Sequence, residues 1–357
     1  MFRKRSASTG HRAPATGSGS RHDAPGFLHV IATRHGIGVF DEDWFEYRQH
    51  LLEHLTLASI DAQTAKGFTW LIGVDRDMPP RARKALDRML EGRPYARVLE
   101  VELKRDFKRA VAEWIKEESE ARGLDWAMST RLDDDDAIHR DLVSRLHAEA
   151  EAFLLRHERR SAVFAPVTGY NWVPAERAGH RAFHPSPSMG LTLFEPVGEA
   201  RSVYDWNHMK LQEKLAPEGA YLGSLDSDVL WWLYAHTNLS DQQREGSGRR
   251  TRAYSHPRAF RLDDEALGRF GISPDGAEFL QRIPEPEPVD STHYLTKRGA
   301  EVEKEIHVLR GQLRRQRRSG DSEAAALVRE RIAELHAVRR EMHRHIVRRM
   351  GDKTDML

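Results

Sequence analysis

Apolar residues along the first 140 positions come in short bursts separated by longer stretches with helical spacing. Phe27 to Thr33 is a β-branched apolar run, followed by Gly36, Gly38 and a helical stretch from about Asp41 to Ser59. Phe68 to Val74 repeats the run, Pro80 to Leu90 repeats the helix, and Ala96 to Leu103 is a third strand. From Asp106 to Arg122, Phe107, Ala110, Val111, Trp114 and Ile115 fall on one helix face. Trp126 to Thr130 is a fourth strand. Such alternation predicts an α/β protein with a mostly parallel sheet and helices on both faces, because each parallel connection needs a crossover. Ligands of such sheets bind beyond the carboxyl ends of the strands.

Beyond that point the pattern predicts a helix from about His139 to His157 and a strand from Ser161 to Val167. Periodicity then becomes irregular through Pro185, Pro187 and Pro196, where loops of an acceptor site are expected. Val229 to Ala235 reads as a buried strand delivering His236, Thr237 and Asn238, and Asp241 to Arg252 as an exposed loop. From about Leu295 the chain is densely charged, with Val302, Ile306, Leu309 and Leu313 at steps of four and three. After a break at Ser319-Gly320-Asp321, the spacing resumes at Val328, Ile332, Leu335, Met342 and Ile346. The expectation is a basic helical hairpin or coiled coil over 295–350.

Composition narrows the chemistry. The 357 residues carry a net charge of +1 and no cysteine, so disulfides, thiolate nucleophiles and cysteine zinc sites are excluded and any metal needs carboxylates or histidines. The balanced charge argues against a nucleic-acid partner. Residues 1–26 are basic and lack the apolar centre of a secretory signal, which predicts a disordered basic arm. No run approaches the roughly 20 apolar residues of a membrane span, so a cytoplasmic protein is expected. Lys297 to Arg349 holds fifteen basic and eight acidic side chains, a cationic face that suits a packed helix pair, with self-association, nucleic acid or peripheral contact with the inner face of the membrane as the alternatives.

The strongest chemical signal is Asp133-Asp134-Asp135-Asp136, directly after the fourth strand. Four adjacent carboxylates repel one another, and a divalent cation would relieve that repulsion while neutralising a departing diphosphate. An acidic helix start is the plainer explanation of such a run.

Several segments resemble one known family: Thr33-Arg34, Trp44-x-x-x-Arg48, Ser59-Ile60-Asp61-Ala62-Gln63-Thr64, Phe68-x-Trp70-Leu71-Ile72-x-Val74-Asp75 and Thr130-Arg131-Leu132-Asp133-Asp134-Asp135-Asp136-Ala137. Together they resemble a family of rhamnosyltransferases and, more broadly, the family-2-like inverting glycosyltransferases of the GT-A fold. Weaker echoes run through Met189 to Pro196, His208 and His236-Thr237-Asn238, so the resemblance covers roughly 27–240. It implies a GT-A domain over 27–290, with a donor half at about 27–137 and an acceptor half at about 138–290.

The resemblance further implies that Thr33, Arg34 and Asp75 face the donor nucleotide, and that Asp133, Asp135 and Asp136 form the acidic motif whose later carboxylates hold ribose and metal, with the metal-binding pair left open by Asp134. Arg131 would pair with phosphate or with the acidic run. Asp135, Asp136 and His236 would bind manganese or magnesium. The implied partners are a uridine- or thymidine-diphosphate sugar and a glycan or glycolipid acceptor. A base must take the acceptor proton. Asp205, Glu195, Asp226 and Asp228 lie in the expected half, and Asp205 is the choice because it stands between the apolar pair Val203-Tyr204 and Trp206. Two other readings are a non-catalytic scaffold working through its C-terminal helices and a metal-dependent phosphohydrolase, although no Asp-x-Asp directly follows the first strand, where the latter would have it.

Overall fold

The computed structural model describes residues 26–39, 42–102, 104, 106–156, 160–199, 201–225, 228–237, 260–284 and 291–354. The expected basic arm (save Gly26), Asp226, Asn238 and the loop 241–252 lie outside the described residues.

Strand β1 (Leu28–His35) is buried along nearly its whole length, as a parallel strand covered on both faces must be. It pairs in parallel with β2 (Thr69–Asp75) on one side and β4 (Trp126–Arg131) on the other, and β3 (Ala96–Val101) extends the sheet beyond β2. Strand β9 (Thr192–Pro196) lies antiparallel between β4 and β6 (Ala162–Ala165), and β10 (Tyr221–Ser224) completes the order β10-β6-β9-β4-β1-β2-β3. Four pairings are parallel and two antiparallel, so the expected mostly parallel sheet is present.

Helices cover both faces. On one, α3 (Pro80–Leu90) and α5 (Leu142–Arg156) bury Leu86, Leu142 and Phe153 against Trp70, Ile72 and Phe194. On the other, α4 (Asp106–Arg122) and α6 (His208–Leu215) bury Phe107, Val111, Leu211 and Leu215 against Val30, Leu71 and Leu193. The helix after β1 begins as α1 (Glu42–Leu51), passes through a π-helical segment, Leu52–Leu57, and ends as α2 (Ala58–Asp61). Its apolar positions divide between two cores: Leu52 and Leu57 join Trp70, whereas Leu51 and Leu55 join Trp172.

A second sheet, ordered β12-β8-β7-β11-β5, was not foreseen. It comprises β5 (Asp136–Ile138), β7 (Thr168–Val173), β8 (Ala178–Phe183), β11 (Trp232–Ala235) and β12 (Phe260–Arg261). Only the β11–β7 pairing is parallel. The late strand expected over 229–235 is therefore β11 of this sheet, and the region read as irregular loops holds β7 and β8. β7 and β8 form a short local hairpin, but β5, β11 and β12 join it from distant parts of the chain, and strands this short leave little periodicity to read. Helices α7 (Asp264–Gly268) and α8 (Pro274–Arg282) pack on this sheet and on the helix after β1. At Gly271, with φ 73°, a Cβ would lie 2.3 Å from the Ala58 carbonyl oxygen, so only glycine permits this approach.

The C-terminal hairpin is present as α9 (Ser291–Ser319) and α10 (Ser322–Thr354), closed at Gly320 and capped by Asp321, which accepts the Ala324 amide at 3.0 Å. Its small core is Val302, Ile306, Leu335 and Met342, with Leu309 and Val338 against it. Among the described residues, no helix is long and apolar enough to cross a membrane.

Candidate functional site

Strands β1, β2 and β4 run parallel, so their carboxyl ends, at His35, Asp75 and Arg131, share one edge. From Arg131 the chain passes through the buried Leu132 and a turn, Asp133–Asp136, into β5. The four aspartates are thus the switch between the two sheets, and each carboxylate meets a different environment.

Asp134 is 4 % exposed. Its Oδ1 accepts from Arg48 Nε at 3.0 Å and from Arg48 Nη2 at 2.6 Å, and its Oδ2 meets His35 Nδ1 at 2.6 Å. Burial pushes this carboxyl up, but Arg48 and the His35 hydrogen bond outweigh it and hold it well below the usual carboxylate range. Arg48 Nη1 also lies 2.7 Å from Asp135 Oδ2, so one guanidinium bridges two neighbouring carboxylates. Asp135, expected to hold ribose and metal, has its Oδ2 paired with Arg48.

Asp136 is fully buried. Its Oδ1 accepts the Ala235 amide at 3.1 Å, and among the described residues its Oδ2 has no hydrogen-bond partner. Burial, and then the charges of Asp135 and Asp133, push this carboxyl well above its ordinary range. Thr56, in the π-helical segment, donates to the Asp136 carbonyl at 2.9 Å and so fixes the turn from the helix side.

Asp133 is more open. Arg131 Nη2 lies 3.4 Å from each of its oxygens. Burial raises this carboxyl, but Arg131, followed by Arg34, brings it below its ordinary range. Both guanidiniums sit over the ring of Tyr204, at 4.9 and 5.0 Å from its centroid. Tyr204 in turn donates to the Ala32 carbonyl at 3.0 Å. Two cations are thereby held side by side next to the acidic turn.

The remaining expected residues are less uniform. Thr33 is fully buried and accepts from Trp70 Nε1 at 2.9 Å, so its hydroxyl is part of the core beneath the site. Asp75 accepts the amides of Gly38 at 3.0 Å and Asp77 at 2.9 Å, tying together the loops after β1 and β2. His236 follows Ala235, whose amide reaches Asp136, and its ring packs at 4.6 Å against that of Tyr234. Asp205 accepts the Ser202 amide at 2.7 Å and lies 3.8 Å from Lys108 of α4, so its carboxylate closes its own turn. Glu195 pairs with Ala127 at the opposite end of β4 and is bound by Arg201 at 2.9 Å, which removes it from the acceptor-base candidates. Asp228 is exposed.

Sequence reasoning assigned no role to Arg48, His35 or Thr56. Arg48 sits between buried Tyr47 and Gln49 and within a helix face that also buries Phe45 and Leu51. A charged residue among positions with core spacing was the available signal, since such a charge needs a partner. His208 was only an echo of the resemblance. Its Nδ1 meets the Ser186 carbonyl at 2.6 Å, and its ring lies 5.8 Å from that of His184. Burial lowers its pKa, outweighing the Ser186 carbonyl.

A turn of carboxylates with one unpartnered buried oxygen, flanked by two stacked guanidiniums at the carboxyl edge of a parallel sheet, is suited to a polyanion and a cation together. Residues 28–244 match the family described as "Putative rhamnosyl transferase". The chain belongs to this family. No curated protein matches it. Among solved structures, it is similar to S. aureus TarS 1-349 in complex with UDP, at 12% identity and a TM-score of 0.34, over 59% of this chain and 61% of that one. A Desulfovibrio desulfuricans G20 "putative nucleotide-diphospho-sugar transferase" matches at 9% identity and a TM-score of 0.33, over 62% and 90%. An active-site mutant of LgtC matches at 12% identity and a TM-score of 0.29, over 67% and 99%. The chain thus spans about three-fifths of the TarS 1-349 structure it matches.

Proposed function

We propose that the chain is a glycosyltransferase of GT-A type, which binds a nucleotide-diphosphate sugar at the carboxyl edge of β1, β2 and β4 and transfers the sugar to an acceptor hydroxyl with inversion. The observation that carries this reading is Asp136: a fully buried carboxyl with one unpartnered oxygen, pushed towards its neutral form by burial and by the charges of Asp135 and Asp133. A site without a cationic ligand has no use for such a group, since it costs stability whenever it ionises.

The residues fit a hard divalent cation, manganese or magnesium, whose donors here would be carboxylate oxygens. Asp136 would hold it, with Asp135, whose Oδ2 meets Arg48, and His236 as the further donors. Among the described residues, the acidic turn does not gather three ligand atoms within 4.8 Å of one another, so donor phosphate oxygens would complete the coordination. When bound, the cation neutralises charge on the departing diphosphate.

Arg34 and Arg131, stacked on Tyr204, would bind the diphosphate from the other side. Asp75 and the loop of Gly36 to Gly38 would border the nucleobase. As the acceptor oxygen forms its bond to the anomeric carbon, the bond from that carbon to the diphosphate breaks and the hydroxyl proton passes to a base, for which Asp205 remains our proposal. A uridine- or thymidine-diphosphate sugar is the expected donor and a glycan or glycolipid the acceptor; rhamnose rests on the family description alone.

The test is thermal unfolding of the whole chain with the diphosphates of uridine, thymidine and guanosine, each with and without manganese. A manganese-dependent rise with one of them is expected. No rise with any would remove the donor site and leave a non-catalytic scaffold.

A further inference from the structure

On the outer side of the helix that holds the acidic turn, His50, Glu53 and His54 form a separate cluster. One ligand atom from each lies within 4.8 Å of the others, and among the described residues this is the one group of three histidine or acid side chains so arranged. Their spacing is i, i+3, i+4, which on any helix puts three side chains on one face. Here the backbone goes further. The α-helix gives way to the π-helical segment between His50 and Glu53, and the wider turn brings residues four apart closer to the same angular position.

Two contacts define one side of the cluster. Phe279 of α8 lies against both imidazoles, 4.9 Å from the His50 ring and 4.7 Å from that of His54. The backbone of α8 is equally close, since a Cβ at Gly276 would sit 3.4 Å from His54 Nδ1. The rings therefore share an apolar wall while Glu53 is exposed on the open side.

We propose that His50, Glu53 and His54 form a second metal site, which takes a borderline divalent ion of the zinc class, with water in the remaining position. The donor set decides the class: two imidazoles and one carboxylate match zinc, whereas manganese and magnesium prefer the all-oxygen chemistry of the Asp133–Asp136 turn. Zinc bonds of about 2.0–2.1 Å at a tetrahedral angle separate ligand atoms by about 3.3 Å, so donors that lie within 4.8 Å of one another need to close by no more than about 1.5 Å, a movement within the rotamer freedom of partly exposed side chains. The helix carries Arg48 and Thr56 on its inner side, one on each flank of the cluster, and both hold the acidic turn. An ion clamping residues 50 to 54 therefore stiffens the support of that turn without entering it.

The test is zinc binding to the full, tag-free chain by titration calorimetry, with cobalt(II) absorption as an independent signature, and thermal unfolding in parallel. One zinc per chain is expected, with a rise in melting temperature. Glu53→Gln, an exposed change that leaves the packing intact, should weaken binding at least tenfold, and the His50→Ala/His54→Ala double variant should abolish the tetrahedral cobalt spectrum. Asp136→Asn should leave zinc affinity within twofold of the parent. Equal zinc affinity and cobalt spectra in parent, Glu53→Gln and the double variant would overturn the proposal, as would loss of the site in Asp136→Asn, which would place the ion in the acidic turn instead.

Discussion

The Ala235 amide donates to Oδ1 of Asp136 across 99 residues of chain, at 3.1 Å, and among the described residues nothing donates to the other oxygen. One carboxyl is thus half satisfied by the end of β11. Asp136→Asn keeps the acceptor for Ala235 and removes the charge. The Asp136 carboxyl is raised on folding, so its contribution to stability is fully present below the ordinary carboxyl pKa of about 4 and is lost as pH rises through the elevated value. Asp136→Asn should therefore melt several degrees higher than the parent at pH 8, with the gap narrowing towards pH 5, while transfer activity falls at least a hundredfold. Melting curves at both pH values and an initial-rate assay check this.

Arg48 stabilises two buried carboxylates. Arg48→Met removes their common partner, and breaking a buried pair from one side costs about 3–5 kcal/mol. Urea midpoints at pH 7 should show that loss. Asp134 is depressed on folding, so its stabilisation is present above about pH 4 and lost as pH falls through the lower value. The gap between parent and variant should accordingly shrink at pH 3, and a gap independent of pH would contradict this account of Arg48.

Asp205 has two roles to separate. Its hydrogen bond from the Ser202 amide survives in Asp205→Asn if the amide oxygen faces Ser202, but a base is lost. With Asp205 as the base, kcat falls at least a hundredfold while the donor-induced melting shift is unchanged. A fall of less than about threefold would return Asp205 to the turn it closes.

The hairpin of α9 and α10 has its own core, distinct from the three that surround the sheets. A chain ending at Pro284 should keep the melting shift with manganese and diphosphate. Loss of that shift with the melting transition intact would tie the hairpin to donor binding.

The first sheet was legible because its strands are short apolar runs alternating with amphipathic helices. Both signals are local, and α3 and α4 fall where the spacing put them. The Asp133–Asp136 run was legible as composition. What each carboxylate does was not, because the four share one sequence environment and differ only in what other elements bring to them. Arg48 of α1 neutralises two, Arg131 faces one, and Ala235 of β11 reaches the last.

The sequence by itself therefore determined the α/β alternation, the helical hairpin and the location of the acidic turn, all of which follow from periodicity and residue type within one window of chain. Only the tertiary structure decided the second sheet, the burial of Thr33, the pairing of Asp135 with Arg48 and the unpartnered oxygen of Asp136. The physical reason is that burial and charge pairing depend on neighbours tens of residues away, and the energy of a carboxylate is set by those neighbours rather than by its own position in the chain.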